Sequence, residues 1–337
     1  MVLALTACGG NQTSAGEVNV CNWGDYIDQD TVDAFEEETG IKVNYSTYSD
    51  NESLYSLLKN GSTDYDVICP SDYMISRLIA EDMLEPIDFD NVPNISNLDE
   101  EFRSGMTYDP EGAYSVPYLW GVVGIIYNTK LLDYTPTSWD VLWDEDLAGQ
   151  ILMFDNSRDA IGIALKRLGY SYNTTNPDEI TQAVDLLIEQ KPLVQAYVMD
   201  QIFDKLEAGE AAVGPYYAGD AVVMMEENPD LNCVYPEEGS NYYVDAWCIP
   251  KGAANKENAE AFINYMCNTE VMAANATYDT YAPPSSAARE LLDDDLRSNE
   301  LLYAPDDVRQ RCEIYSNLPQ DILDLYDSEW IRLKAAQ

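Results

Sequence analysis

Tyr114-Ser115-Val116-Pro117-Tyr118-Leu119-Trp120-Gly121-Val122-Val123-Gly124-Ile125-Ile126-Tyr127 reads as two extended runs, Tyr114 to Tyr118 and Val122 to Tyr127, with Trp120-Gly121 between them. Its β-branched and aromatic side chains suit a pleated, buried backbone. A second long extended run, Tyr242 to Ile249, lies far downstream. Between the two stands a self-contained βα series. It comprises strand Gln150 to Phe154, helices Ser157 to Leu168 and Pro177 to Gln190, strand Leu193 to Tyr197 and helix Gln201 to Glu207. Strand Ala211 to Tyr216, helix Gly219 to Glu227 and strand Asn232 to Tyr235 complete it. Extended segments that bracket such a block are predicted crossovers between two lobes, each discontinuous in sequence, with a cleft between them.

Working outward, Val18 to Asn22 reads as a first strand, followed by a helix over Asp30 to Glu38 with Gly40 as its C-cap signal. Ile41 to Tyr45 is a second strand, Ser53 to Lys59 a helix, and Asp66 to Pro70 a third strand, with Ser71-Asp72 offering an N-cap to the next helix. The alternation predicts parallel sheets covered by helices, an α/β fold. Beyond the second long run helices dominate: Asn255 to Met266, Thr269 to Ala276 and Asp321 to Lys334. The 337 residues exceed what one core usually fills, which agrees with two domains. The expected division is 17–120 plus 246–289 for one lobe and 121–245 plus 290–337 for the other.

In open α/β sheets, ligands sit at the carboxyl ends of strands. That rule selects Trp23 to Tyr26, Ser71 to Tyr73, Asp155 to Asp159, Tyr217, and Tyr243 to Asp245. These positions repeat one theme, an acid beside an aromatic ring. A carboxylate gives an ammonium a charge-assisted hydrogen bond, and a ring face adds cation–π attraction. With 25 tyrosines and 61 acids in the chain, any one such pair is cheap; recurrence after successive strands is the signal. Arg158, next to Asp159, is expected to pair with a carboxylate and hold it in place.

Composition narrows the function. Lys and Arg number 18 against 61 Asp and Glu, a formal net charge of −43. A nucleic-acid binder needs a basic footprint, so that class is excluded; a basic membrane-binding patch is equally disfavoured. The chain has no histidine, which removes Ser-His and Cys-His catalysis and imidazole metal sites. No resident metal or cofactor is expected. Six of the seven cysteines (21, 69, 233, 248, 267 and 312) sit in apolar or strand-like runs and read as reduced core residues. Cys8 differs: Leu5-Thr6-Ala7-Cys8 resembles a bacterial lipobox, followed by a polar stretch to Gly16. Residues 1–16 therefore read as a lipoprotein signal remnant and linker, with Met1 in place of a longer leader.

Further marks run in order along the chain. They include Asn22-Trp23-Gly24-Asp25-Tyr26, Glu38-Thr39-Gly40-Ile41-Lys42-Val43, Tyr45-Ser46-Thr47-Tyr48 with Ser49-Asp50-Asn51-Glu52, and Pro70-Ser71-Asp72-Tyr73-Met74-Ile75. Val116-Pro117-Tyr118-Leu119-Trp120-Gly121, Asp155-Asn156-Ser157-Arg158-Asp159 and Val244-Asp245-Ala246-Trp247 follow. From about Val18 to the C-terminus the chain resembles the spermidine/putrescine-binding proteins of bacterial polyamine ABC importers. The resemblance implies a two-lobed periplasmic-binding-protein fold of type II, each lobe a mixed sheet flanked by helices. It implies a non-enzymatic role: hinged capture of a polyamine and delivery to a membrane permease, by a monomer held outside the cytoplasmic membrane through a lipid on Cys8. It also implies a ligand site of Trp23, Gly24, Asp25, Tyr26, Ser71, Tyr73, Asn156, Asp159, Tyr217, Tyr243, Asp245 and Tyr281, with Asp245 as central anion. Asn156 departs from the family pattern, standing where some members carry aspartate, and Tyr315 lies where a C-terminal contact is expected.

Three other readings compete, one of them a quaternary-amine binder with an aromatic cage, which needs rings without a central acid and is disfavoured by Asp245. A ferric-iron binder of the same general fold would use Tyr216-Tyr217 or Tyr242-Tyr243 as phenolate ligands. A glycosidase would need two carboxylates, which 61 acids supply at chance level.

Overall fold

A computed structural model describes residues 16–24, 26–61, 64–104 and 106–336. Cys8 and the rest of the 1–15 stretch lie outside the described residues, as does Asp25. Ten strands form the framework: β1 Glu17–Trp23, β2 Lys42–Tyr48, β3 Val67–Ile68, β4 Leu84–Glu85, β5 Ser115–Asn128, β6 Ile151–Phe154, β7 Val194–Val198, β8 Val213–Tyr217, β9 Leu231–Val234 and β10 Tyr242–Pro250. Their order is β2-β1-β3-β10-β5-β8-β6-β7, with β4 added on β10 and β9 on β5.

The expected parallel sheets are only half of the arrangement. β1 is parallel to β2 and β3, and β6 is parallel to β7 and β8. The two parallel groups are joined by strands of opposite sense: β10 is antiparallel to β3 and β5, and β5 is antiparallel to β8 and β9. A parallel neighbour needs a crossover, whereas a long strand returning beside its predecessor pairs antiparallel. The stretch read as two extended runs is one 14-residue strand, buried throughout. Burial on both faces explains its unbroken apolar run. Ser115 to Val122 pair with β10, and Val123 to Asn128 pair with β8 and β9, so this strand belongs to both groups.

A register shift interrupts the β5–β10 pair. Asp245 faces Leu119 and Ala246 faces Pro117, which leaves Tyr118 as the extra residue of a bulge. A bulge bends its strand and re-aims the side chains around it. Asp245 stands at that bend.

The helices start where the strands end, each for a local reason. Asp28 accepts the Asp30 N–H at 3.0 Å and caps helix Gln29–Thr39, and Gly40, at φ 72°, closes it with its N–H on the Glu36 carbonyl. Asp50 caps helix Asn51–Lys59 by accepting from the Ser53 N–H at 2.7 Å. Asn156 caps helix Ser157–Arg167. Acids in first turns are favoured by the partial positive charge of a helix start, and Glu52, Asp72, Asp159 and Asp220 all occupy such places. The cysteines at 21, 69, 233, 248 and 267 are buried free thiols, and Cys312 is half-buried and free.

Candidate functional site

Strand alternation decides what faces the junction of the two groups. Residues opposite each other in an antiparallel pair share a face, and neighbours along a strand point to opposite faces. Tyr243 opposite Gly121 and Asp245 opposite Leu119 fall on one face; Tyr242 opposite Val122 and Val244 opposite Trp120 fall on the other. Ring contacts agree. Tyr242 lies against Trp120, centroids 5.4 Å apart, while Tyr243 lies against Tyr217 at 5.2 Å and Tyr281 at 6.2 Å. Gly121 makes room for the Tyr243 ring: a Cβ there would stand 2.4 Å from the phenol oxygen and 2.8 Å from Cζ.

On this face the structure gathers side chains from both strand groups. Asp245 accepts the Tyr26 hydroxyl at 2.8 Å, and Ser71 bridges to it through the backbone. Tyr26 is edge-on to Tyr281 at 5.5 Å and to Tyr118 at 5.6 Å. Asp159, from the first turn of helix Ser157–Arg167, accepts the Tyr315 hydroxyl at 3.0 Å and is also bonded by Tyr217. Tyr73 donates to Glu52 at 2.9 Å and meets Tyr315 edge-on at 6.2 Å. Asp220, in the first turn of helix Ala218–Glu227, takes the Tyr281 hydroxyl.

Three acids here share an unusual condition. Asp159 and Asp245 are buried and Asp220 half-buried, and their partners are hydroxyl groups. Among the described residues none of the three forms a salt bridge. Asp245 Oδ1 has no hydrogen-bond partner among the described residues. Burial therefore pushes the Asp159 carboxyl up to about 6 against the opposing Tyr315 hydroxyl. Burial likewise pushes Asp245 up to about 6, opposed by Ser71 and Tyr26, and Asp220 up to about 7, opposed by Tyr281. A buried carboxylate is costly unless a cation or several donors compensate it. The surrounding tyrosine hydroxyls (Tyr26, Tyr73, Tyr217, Tyr243, Tyr281 and Tyr315) are held well above their ordinary range by burial. They serve as neutral donors, and their rings form the walls.

The residues selected from sequence fall as follows. Tyr26, Ser71, Tyr73, Asp159, Tyr217, Tyr243, Asp245 and Tyr281 come together as described. Trp23 ends β1 half-buried against Tyr48, ring centroids 4.7 Å apart. Gly24 is an exposed turn residue. The Asn156 side chain is engaged as a cap, its Oδ1 accepting from the Arg158 N–H at 2.9 Å and the Asp159 N–H at 3.4 Å. Asp72 is buried and accepts the Tyr73 N–H at 2.6 Å and the Val244 N–H at 3.2 Å, which ties the helix start to β10.

The expected pairing of Arg158 with a neighbouring acid is not found. Asp155 instead pairs with Lys334 at 2.6 Å. The buried Arg158 guanidinium lies over the rings of Tyr315 at 4.6 Å, Tyr326 at 5.4 Å and Tyr73 at 5.9 Å, and donates to the Ser316 carbonyl and Asn173. Asp155 precedes the helix that carries Arg158, so adjacency in sequence did not bring the two charges together. Glu52, Tyr118 and Asp220 are the site residues that sequence reasoning left out, and Tyr315, expected as a C-terminal contact, stands beside Asp159. Only Asp220, which follows Tyr216-Tyr217, repeats the acid-after-aromatic signal.

Comparison with known proteins bears on what such a face binds. Residues 30–304 match the model of a family described as bacterial extracellular solute-binding proteins. The spermidine/putrescine-binding periplasmic protein of Salmonella typhimurium is 35% identical over 318 residues, covering 94% of this chain and 91% of the relative. A solved Listeria monocytogenes structure, described as a spermidine/putrescine ABC transporter, superposes with a TM-score of 0.90 at 39% identity, over 95% of this chain and 99% of that one. The substrate-binding protein of a spermidine/putrescine ABC transporter from Streptococcus pneumoniae gives a TM-score of 0.85 at 35% identity, with 95% and 99% covered.

Proposed function

Because the chain belongs to the bacterial extracellular solute-binding proteins, we propose that it captures a polyamine between its two lobes and delivers it to the permease of an ABC importer. The family is one of binding proteins, not enzymes, and its fold is the two-lobed, mixed α/β one. One observation carries the choice of ligand. Asp159, Asp220 and Asp245 face a ring-walled junction with hydroxyl groups as hydrogen-bond partners and, among the described residues, no salt bridge, and a slender, multiply protonated amine supplies counter-charges in direct contact. Ring faces of Tyr26, Tyr73, Tyr217, Tyr243 and Tyr281 cover its methylenes and add cation–π attraction.

In this reading the lobes are 17–120 plus 246–289 and 121–245 plus 290–337, and β5 and β10 form the hinge. Ligand contacts from both lobes favour the closed arrangement over the open one. Trp23, Gly24, Asp25 and Asn156 complete the proposed site at its edges. The protein works as a monomer outside the cytoplasmic membrane, held there by a lipid on Cys8. No helix among the described residues is long and apolar enough to cross a membrane. The ferric-iron reading is not favoured: Tyr242 and Tyr243 point to opposite faces, and Tyr216 bonds Asp200 while Tyr217 bonds Asp159, so neither pair converges.

Calorimetric titration tests the proposal. Putrescine or spermidine is expected to bind tightly and neutral sugars not at all; equal affinity for both classes, or no polyamine binding, refutes it. A second expectation concerns Gly121. An alanine there forces the Tyr243 ring aside, and overpacking of this kind costs about 1–3 kcal/mol. Gly121→Ala is expected to weaken polyamine binding by about tenfold. An unchanged dissociation constant, measured by the same titration, would show that Tyr243 is not part of the wall.

A further inference from the structure

Arg158 is the only buried lysine or arginine among the described residues, and nothing above gives it a task. A buried cation without an ion-pair partner costs stability. Among the described residues Arg158 forms no salt bridge, and its Nε is buried without a hydrogen-bond partner. What holds it is a cage. Tyr315 and Tyr326 lie 4.6 and 5.4 Å from the guanidinium carbon, and Tyr73, from the other side of the junction, 5.9 Å. A guanidinium is weakly hydrated and stacks on rings, so such a cage suits it. Nη2 also reaches the Ser316 carbonyl at 3.3 Å and Asn173 Oδ1 at 3.4 Å. Asn173 is itself fixed by the Ser316 N–H and the Ile314 carbonyl, both at 2.8 Å, so the cation has a set place.

That place is the end of the acid-and-ring row. Tyr243 lies against Tyr217, Tyr217 bonds Asp159, Asp159 takes the Tyr315 hydroxyl, and the Tyr315 ring carries the guanidinium. The charge is felt inside the site without an ion pair: burial pushes the Asp159 and Asp72 carboxyls up, and Arg158 opposes it at both. The row thus begins with acids that attract ammonium groups and finishes on a cation that repels them. With an effective dielectric of about 20, like charges several ångströms apart repel strongly enough to change affinity about tenfold.

We propose that Arg158 is a specificity-determining residue, an electrostatic stop that rejects amines carrying a further ammonium past Asp159. The proposal rests on the polyamine reading above. Arg158 touches no ligand in this scheme; its fixed charge limits how far the charged part of a ligand extends, and a neutral end of the same length escapes the penalty.

Calorimetry would use spermidine, spermine and monoacetylspermine, which is at least as long as spermine but has one neutral end. The parent is expected to bind spermidine, and to bind spermine more weakly than monoacetylspermine. Arg158→Met fills most of the cage without the charge, and is expected to shift the ratio of those two affinities about tenfold toward spermine. Arg158→Lys keeps the charge and is expected to keep the parent's order. If Arg158→Met weakens all three amines by one common factor, Arg158 is structural and the stop is wrong, while the polyamine reading stands. Should that variant not fold, the parent decides alone, because spermine bound more tightly than monoacetylspermine overturns the stop. If the parent binds no amine, the polyamine reading falls first and takes the stop with it.

Discussion

Asp245→Ala is expected to weaken polyamine binding by at least about 100-fold, more than the removal of any single ring. Asp245 is buried, bonded to Tyr26, and placed by the β5–β10 bulge where both strand groups meet. Truncating one partner of a buried, hydrogen-bonded charge pair costs about 2–5 kcal/mol, much of it from the abandoned opposite charge. A ring contributes about 0.5–2 kcal/mol of cation–π attraction, so Tyr243→Leu or Tyr281→Leu should cost roughly tenfold. The same substitution has the opposite effect on the ligand-free protein. Removing a buried carboxylate that lacks a cation relieves a cost, so the free variant should melt no lower than its parent. Titration calorimetry and thermal melting together check both halves. A variant that binds as tightly as its parent would remove Asp245 from the site, and one that simply unfolds would make it a structural residue.

Acidification is the second large effect. In the free protein Asp159 and Asp245 titrate near 6 and Asp220 near 7, all raised first by burial. An ammonium pairs with the ionised form, so binding must expel any proton these acids hold. At pH 8 the acids are ionised and binding expels little; at pH 5 each is mostly protonated, and affinity falls. Between those limits the loss is on the order of 100-fold if Asp220 alone must ionise, and larger when Asp159 and Asp245 must as well. Stability runs the other way. A carboxyl raised in the folded state holds protons that the unfolded chain has already released. It therefore contributes stability that is present at low pH and lost as pH rises from about 4 toward 6 or 7. The ligand-free protein is thus expected to gain from these three groups on mild acidification, while the ligand-induced rise in melting temperature shrinks. Affinity that is flat from pH 8 to pH 5 would contradict the uncompensated acids.

How much of this was legible beforehand depends on the distance over which each signal acts. Helices, whose signals are local, read well: Pro177–Gln190, capped by Asn176, and Gln201–Glu207 were expected with those bounds, and Gly40 closes its helix as foreseen. β3 was overread, since five extended residues reduce to the paired Val67–Ile68. Pairing depends on neighbours rather than on composition. The sense of β5 and β10 and their bulge are properties of a pair of strands far apart in sequence, and neither run carries a local mark of them. The site divides in the same way. Asp159 follows β6 and Tyr217 ends β8, whereas Tyr243 and Asp245 lie inside β10, and the acid-beside-ring pattern found all four. Tyr315 reaches Asp159 because Asn173 holds the backbone on either side of it, donating to the Ile314 carbonyl at 2.8 Å and accepting from the Ser316 N–H at 2.8 Å. Those contacts lie more than a hundred residues apart in the chain, beyond any local pattern. Arg158 was misassigned because Asp155 lies outside the helix that carries it, and Asp159, the next residue of that helix, points to a different face.

The most direct measurement follows the carboxyl carbons of Asp159, Asp220 and Asp245 by nuclear magnetic resonance through a pH titration, with and without spermidine. The expected result is three carboxyls titrating near 6 to 7 in the free protein, all displaced into or below the ordinary carboxylate range once the amine is bound. Midpoints that stay the same on adding spermidine would contradict the central claim that these acids are the ligand's counter-charges.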